Sequence, residues 1–274
     1  MKFHKKKITS KIDKFKNNNR LNKNKFPIDK IKSPSNQNFF LWGKHALEAA
    51  IINKKRNIIK IYHTSEMCDW INEKLKNSNR SSEKLNEIEK KDLDNHALSS
   101  PHQGVMAEVE PLTWLHLEDY VEKNTDKMCL VLLDQLTNSQ NIGSILRTAS
   151  AFNVDGVVLT KKNTPVENGL MARAAAGSIE TMPLIRVTNL SRSIEYLKKN
   201  NFFVIGLEKH GKENISDCVG NPQTALVLGS ENLGLRRLTK EKLSTSAKIP
   251  IAVQTESLNV SNAAAISLYV IQNN

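Results

Sequence analysis

The run Met128–Thr160, MCLVLLDQLTNSQNIGSILRTASAFNVDGVVLT, constrains the fold more than any other part of the chain. Met128–Leu133 is apolar and rich in branched residues, the composition of a buried strand. Polar residues follow, and Asn141 stands where a helix N-cap belongs. Ile142, Leu146, Ala149 and Phe152 then recur at helical spacing and give one apolar face. Val154–Leu159 returns as a second strand. A strand, polar loop, helix, strand unit belongs to an α/β protein, and its loop is where such proteins place chemistry.

This loop is not a phosphate cradle, because no GxGxxG or GxxxxGK follows any candidate strand. It offers Asn141-Ile-Gly143-Ser-Ile-Leu-Arg147 instead. Gly143 and Arg147 lie four apart and share a helix face. Helical side chains lean toward the N-terminus, so Arg147 is expected over the bare patch left by Gly143. A guanidinium beside free backbone N–H groups suits a phosphate or a developing oxyanion. The same segment also reads as a surface arginine on an ordinary helix.

Helices alternate with apolar strands through the C-terminal half. Strands are expected at Thr181–Val187, Phe202–Leu207, Thr224–Gly229 and Ala247–Val253, and a helix at Ser191–Asn200. The pattern predicts a mostly parallel sheet covered on both faces. Upstream, Ala46, Leu47, Ala50 and Ile51 fit a helix face, and Asn57–Tyr62 reads as a strand. Glu66–Lys76 reads as a helix, residues 77–95 as a loop with a polar helix, and His102–Val109 as an alternating strand. Residues 38–110 thus form a small α/β domain, 111–127 a linker with one short amphipathic turn, and 128–274 the larger domain.

Two more loops carry candidate chemistry. Leu228-Gly229-Ser-Glu231-Asn232-Leu-Gly234 follows a buried strand, and its glycines permit a tight turn. Glu231 would repel a polyphosphate, so a cationic or neutral ligand fits better; a glycine turn with a solvated Glu is the plainer alternative. Thr255–Asn262 enters the last helix, which Ser257 or Asn259 can cap. Ala263-Ala-Ala265 leaves a thin surface where a segment or ligand can approach, and on its own the stretch also reads as a capped core helix.

The formal charge of +12 is unevenly placed. Residues 1–37 hold 12 Lys/Arg against 2 acidic residues, whereas the rest of the chain is nearly balanced. That arm lacks sustained periodicity and is expected to be disordered, suited to counterion release on RNA or simply to solvation. The basic stretch has no apolar core of the secretory kind, and no segment reaches the ~18 apolar residues of a membrane span. Cys68, Cys129 and Cys218 form no CxxC, which suits a reducing, cytoplasmic compartment. The histidines lack metal-ligand spacing, and no metal is expected.

Taken in order, Asn141-x-Gly143-x-x-x-Arg147, Leu228-Gly-Ser-Glu231-x-x-Gly234, and Ile249-Pro-Ile with Ser257-Leu-Asn-Val-Ser-Asn-Ala-Ala-Ala resemble the SpoU family of RNA ribose 2′-O-methyltransferases, within the SPOUT class. The resemblance covers roughly 38–274, since Phe40-Leu-Trp-Gly-Lys-His-Ala-Leu-Glu-Ala and His102-Gln-Gly-Val are similar to the ribosomal-protein-like substrate domain that often precedes the catalytic one. Each motif alone is weak; the three in order are specific. One departure is Asn232, where a small residue such as Gly is expected, and it bears on loop shape.

The resemblance implies a trefoil-knotted C-terminal domain, a rare exception to unthreaded chains. It implies S-adenosyl-L-methionine as cofactor, lined by Gly229, Ile249 and Leu258. Arg147 is implied as the catalytic arginine, with Asn141, Glu231, Ser257 and Asn259 positioning the ribose, in a homodimer that completes the site across its interface. The expected reaction is 2′-O-methylation of a ribose, with a guanosine of 23S rRNA as the leading substrate. The extra N-terminal domain favours rRNA by fold analogy alone. The alternatives are tRNA, or a non-catalytic knotted RNA-binding or assembly protein.

Overall fold

The computed structural model describes residues 38–80, 84–97, 100–124, 127–231 and 233–273. The basic arm, 1–37, and Asn232 therefore lie outside the described residues.

The chain opens with β1 (Phe39–Trp42), α1 (Lys44–Ile52), β2 (Ile58–His63), α2 (Cys68–Asn77), β3 (Leu85–Glu87), α3 (Lys90–His96) and β4 (Val105–Val109). These build a four-stranded sheet of order β1-β4-β2-β3. The buried faces of α1 (Ala46, Leu47, Ala50, Ile51) and α2 (Ile71, Leu75) match the helical periodicity of the sequence. Two strands escaped it: β1 is apolar at every position, and β3 spans three residues.

The connection to the second sheet holds one short amphipathic helix. Within it α4 (Leu117–Lys123) buries Leu117 and Val121, and Leu115 forms a parallel bridge to Ile185. Then follow β5 (Met128–Asp134), α5 (Ser139–Ala151), β6 (Gly156–Thr160), α6 (Gly169–Ala175), β7 (Leu184–Val187) and α7 (Leu190–Lys199). The chain closes with β8 (Phe203–Leu207), β9 (Glu213–Asn214), β10 (Gln223–Gly229), α8 (Arg237–Lys240), β11 (Thr245–Lys248) and α9 (Val260–Gln272).

The seven strands run β7-β6-β5-β10-β8-β11-β9, all parallel. Both faces are covered, as a parallel sheet requires. One core joins α5, α6 and α9 to the sheet and continues into the N-terminal domain; the other holds Leu117 and Val121 of α4 and Leu190, Ile194 and Leu197 of α7. β5 is buried at all seven positions, which is why its sequence reads as one apolar run.

Three expectations are corrected. The N-cap of α5 is Asn138, whose side chain accepts from the backbone N–H of Gln140 and Asn141, so Asn141 lies inside the first turn. The strand expected over Ala247–Val253 stops at Lys248, because Pro250 cannot donate to a ladder and 249–259 runs as an open loop. The patch over Gly143 is filled by α6, a helix the sequence did not suggest: a Cβ there would run into the Met171 carbonyl oxygen and lie 2.7 Å from the Ala174 Cβ. Arg147 therefore does not cover Gly143.

Candidate functional site

In a parallel sheet the loops leaving the carboxyl ends of the strands share one edge. Here they are the turn after β5, the turn after β10 and the open loop between β11 and α9. Three polar side chains, one from each, meet there. Glu231 Oε1 accepts hydrogen bonds from Asn141 Nδ2 and Asn259 Nδ2, both at 2.7 Å, and Asn259 Nδ2 lies 3.3 Å from Asn141 Oδ1. The two amides are charge-assisted donors to one carboxylate oxygen. Asn259 is also the N-cap of α9: its Oδ1 accepts from the Ser261 backbone N–H at 2.9 Å. One amide thus fixes both a helix end and the junction.

The turn after β10 is folded tightly onto itself. Ser230 pairs with Gly234, whose N–H donates to the Ser230 carbonyl at 2.8 Å. A Cβ on Gly229 would collide with the Gly234 carbonyl, so the close approach requires glycine. Behind the turn, buried Asp134 at the end of β5 accepts from the Arg236 backbone N–H at 3.0 Å and its Nε at 2.6 Å. That pair seats the chain leaving the turn on the sheet.

Beside the junction lies a cavity of about 570 Å³, lined by Leu228, Gly229, Ile249, Ile251, Leu258 and Val260 among others. Glu231 and Ser257 reach its wall, and all three residues expected to hold a cofactor, Gly229, Ile249 and Leu258, line it. The sequence reading missed the turn after β8, where Glu208, Lys209 and His210 form another wall, with Glu208 paired to Lys240 of α8. The available signal was its place after a buried strand, at the same edge as the other loops.

The structure does not bring Arg147 to this junction. It projects from α5 six residues after Asn141, ~9 Å along the axis. It is exposed and forms no hydrogen bond or ion pair among the described residues. Within the chain, then, Asn141, Glu231 and Asn259 form one unit, Ser257 flanks the cavity, and Arg147 stands apart. No group of three or more His, Cys, Asp or Glu able to hold a metal occurs among the described residues.

A parallel α/β sheet with a ligand-sized, half-apolar cavity and a convergent polar junction at the carboxyl ends of its strands is the architecture of a ligand-binding α/β enzyme. The chain belongs to the SpoU rRNA Methylase family, whose model matches residues 128–269, and an RNA 2′-O ribose methyltransferase substrate-binding model matches 40–115. It is 35% identical over 233 residues to a Staphylococcus haemolyticus protein named for the TrmH family of tRNA/rRNA methyltransferases, covering 84% of this chain and 93% of that one. A Staphylococcus saprophyticus protein of the same name is 36% identical over the same shares. The fold is also that of the Streptomyces viridochromogenes SpoU methyltransferase AviRb, solved with AdoMet (TM-score 0.72, 22% identity, 85% of this chain and 89% of that one). An AdoMet-bound rRNA methyltransferase from Sinorhizobium meliloti shares it too (TM-score 0.69, 22% identity, 85% and 86%).

Proposed function

We propose that the protein transfers a methyl group from S-adenosyl-L-methionine to the 2′-hydroxyl of a ribose in RNA, with a guanosine of 23S rRNA as the leading substrate. The observation that carries this reading is the Asn141–Glu231–Asn259 junction beside the cavity. The cavity wall suits the cofactor: Leu228, Ile249, Ile251 and Leu258 are apolar surface for an adenine, Gly229 allows close backbone approach, and Glu231 and Glu256 suit a cationic ligand better than a polyphosphate, while Glu208 is already paired with Lys240. When bound, S-adenosyl-L-methionine supplies an electrophilic methyl on a sulfonium.

The chain's own residues have the remaining tasks. A ribose hydroxyl is a poor nucleophile, so it must be oriented and its proton removed. The second carboxylate oxygen of Glu231 carries no hydrogen bond among the described residues and can accept one from that hydroxyl. Arg147 acts as a clamp on the adjacent phosphate and stabilises the emerging alkoxide, since an arginine essentially never deprotonates in proteins. Its separation from the junction supports a homodimer in which Arg147 completes a partner's site. Exposed Ile266 and Tyr269 on α9, with Tyr269 edge-on to Phe152 at the end of α5, form a suitable apolar face. The same reading has residues 38–110 hold RNA, 128–274 carry the chemistry within a trefoil knot, and the three free thiols suit a cytoplasmic setting.

The test is transfer from labelled S-adenosyl-L-methionine to undermethylated 23S rRNA and, separately, to bulk tRNA, with the product nucleoside mapped. Label on an rRNA ribose is the expected result. Label on tRNA, which the names of the staphylococcal relatives also include, keeps the chemistry and replaces the substrate. No cofactor binding would leave a non-catalytic RNA-binding protein.

A further inference from the structure

Arg56, in the turn between α1 and β2, is 1% exposed. A buried guanidinium must find a partner for every donor it can, and this one finds them in three parts of the chain. Its Nε donates to both carboxylate oxygens of Glu180 at 3.0 Å, and its Nη2 donates to Glu180 at 2.8 Å and to Glu167. Its Nη1 donates to the Glu110 carbonyl at 2.6 Å. Asn53 Nδ2 adds a bond to Glu180 at 2.9 Å, and the Leu112 N–H donates to Glu167 at 2.9 Å. Arg56, Asn53 and Glu110 belong to the N-terminal sheet domain, Leu112 to the connection, and Glu167 and Glu180 flank α6 of the larger domain.

Apolar packing could join two domains without an ion cluster, as it does where the Trp42 ring lies over Gly169. Apolar contact tolerates sliding, whereas a planar fork engaged by two carboxylates and a carbonyl fixes direction. α6 passes that direction on. Next to Glu167, Asn168 caps α6 and donates to Ser139 Oγ at 2.8 Å in the first turn of α5, and Gly143 of α5 packs directly on the α6 backbone. α5 carries Asn141 and Arg147.

We propose that the Arg56–Glu167–Glu180 cluster is a positioning clamp that holds the N-terminal domain at a fixed angle to helix α5, so that RNA held by the one domain meets the Asn141–Glu231–Asn259 junction of the other. Its effect on turnover rests on the methyltransferase reading; the fixed angle does not. Spin labels at the exposed helix positions Lys76→Cys and Lys199→Cys, in a Cys68→Ser background and diluted with unlabelled protein, report the angle as an electron–electron distance. The chain with its clamp intact should give one narrow distribution with or without RNA. Glu167→Gln and Arg56→Lys should broaden it at unchanged cofactor affinity. Their kcat on folded RNA should fall by about tenfold to 10²-fold, the scale of a small misplacement of reacting groups, with little change in KM, and Arg56→Lys should lose less than Arg56→Met. Asn53→Ala, half-buried and milder, takes their place if neither folds. A broad distribution in the chain with its clamp intact overturns the proposal, as does a folded variant as narrow as that chain. Absence of methyl transfer in every chain would sink the functional reading and leave the distances to judge the clamp.

Discussion

On the proposed reading Arg147, unpaired among the described residues, and Glu231, shared by two amides, have separate tasks, and their replacements should differ accordingly. Arg147→Ala is expected to lower turnover by about 10²-fold or more while sparing cofactor affinity, because it removes a group that acts where charge develops; methyl incorporation beside calorimetric cofactor titration checks both halves. Glu231→Ala should cost more than Glu231→Gln, because a glutamine carbonyl oxygen can still accept from both Asn141 and Asn259; the ratio of the two kcat values decides. The thiols give a test of burial. Burial, helped by Asp155, pushes Cys129 up to about 12, and burial with Glu213 does the same for Cys218. Thiolate is the reactive form, so a thiol reagent near neutral pH should label Cys68 of the native protein and reach the other two only on unfolding. Mass mapping of labelled peptides reads this directly.

At the scale of elements, α5 and α6 stand or fall together. Gly143→Ala gains up to about 1 kcal/mol of helix propensity, yet its methyl group would meet the α6 backbone, an overpacking cost of about 1–3 kcal/mol. Net destabilisation in thermal unfolding is expected, with a loss of kcat beyond it because Asn141 and Arg147 move with the helix. The β5–α5–β6 unit was legible because a buried strand is apolar throughout and an amphipathic helix shows its period. The polar residues destined for the junction stood out as loops after strands. What was not legible depended on contacts distant in sequence. α6 is short, and its Gly-Leu-Met-Ala-Arg-Ala-Ala sequence has no clear stripe, so only the bare surface of Gly143 hinted that something must fill it. Asn138 and Asn141 are equally good caps by type, and geometry chose the first. Pro250 was the local sign that β11 would end early.

For the molecule as a whole, charge and pH supply the tests. Deleting residues 1–37 should weaken RNA binding and flatten its dependence on salt, since every phosphate the arm no longer neutralises takes close to one unit off the log–log slope; filter binding across a salt series measures it. Burial holds the Glu167 carboxyl above its ordinary range, an effect that Arg56 opposes only in part. A carboxyl raised in the folded state contributes stability that is complete below its unfolded pKa and is lost as pH rises through the folded value. The thermal midpoint should therefore fall with rising pH above the usual carboxylate range, and Glu167→Gln should remove that slope. Paired melts over the same buffers check the sign.

The Leu115 bridge bears on how the protein can be stored at high concentration beside its RNA. The Leu115 N–H donates to the Leu184 carbonyl and its own carbonyl accepts from Arg186, so the β7 margin presents few free backbone groups. At the opposite margin β9 is two residues long. Each border of the large sheet is thus a poor template for a further strand from another molecule, and growth into fibres by strand addition at that sheet is disfavoured.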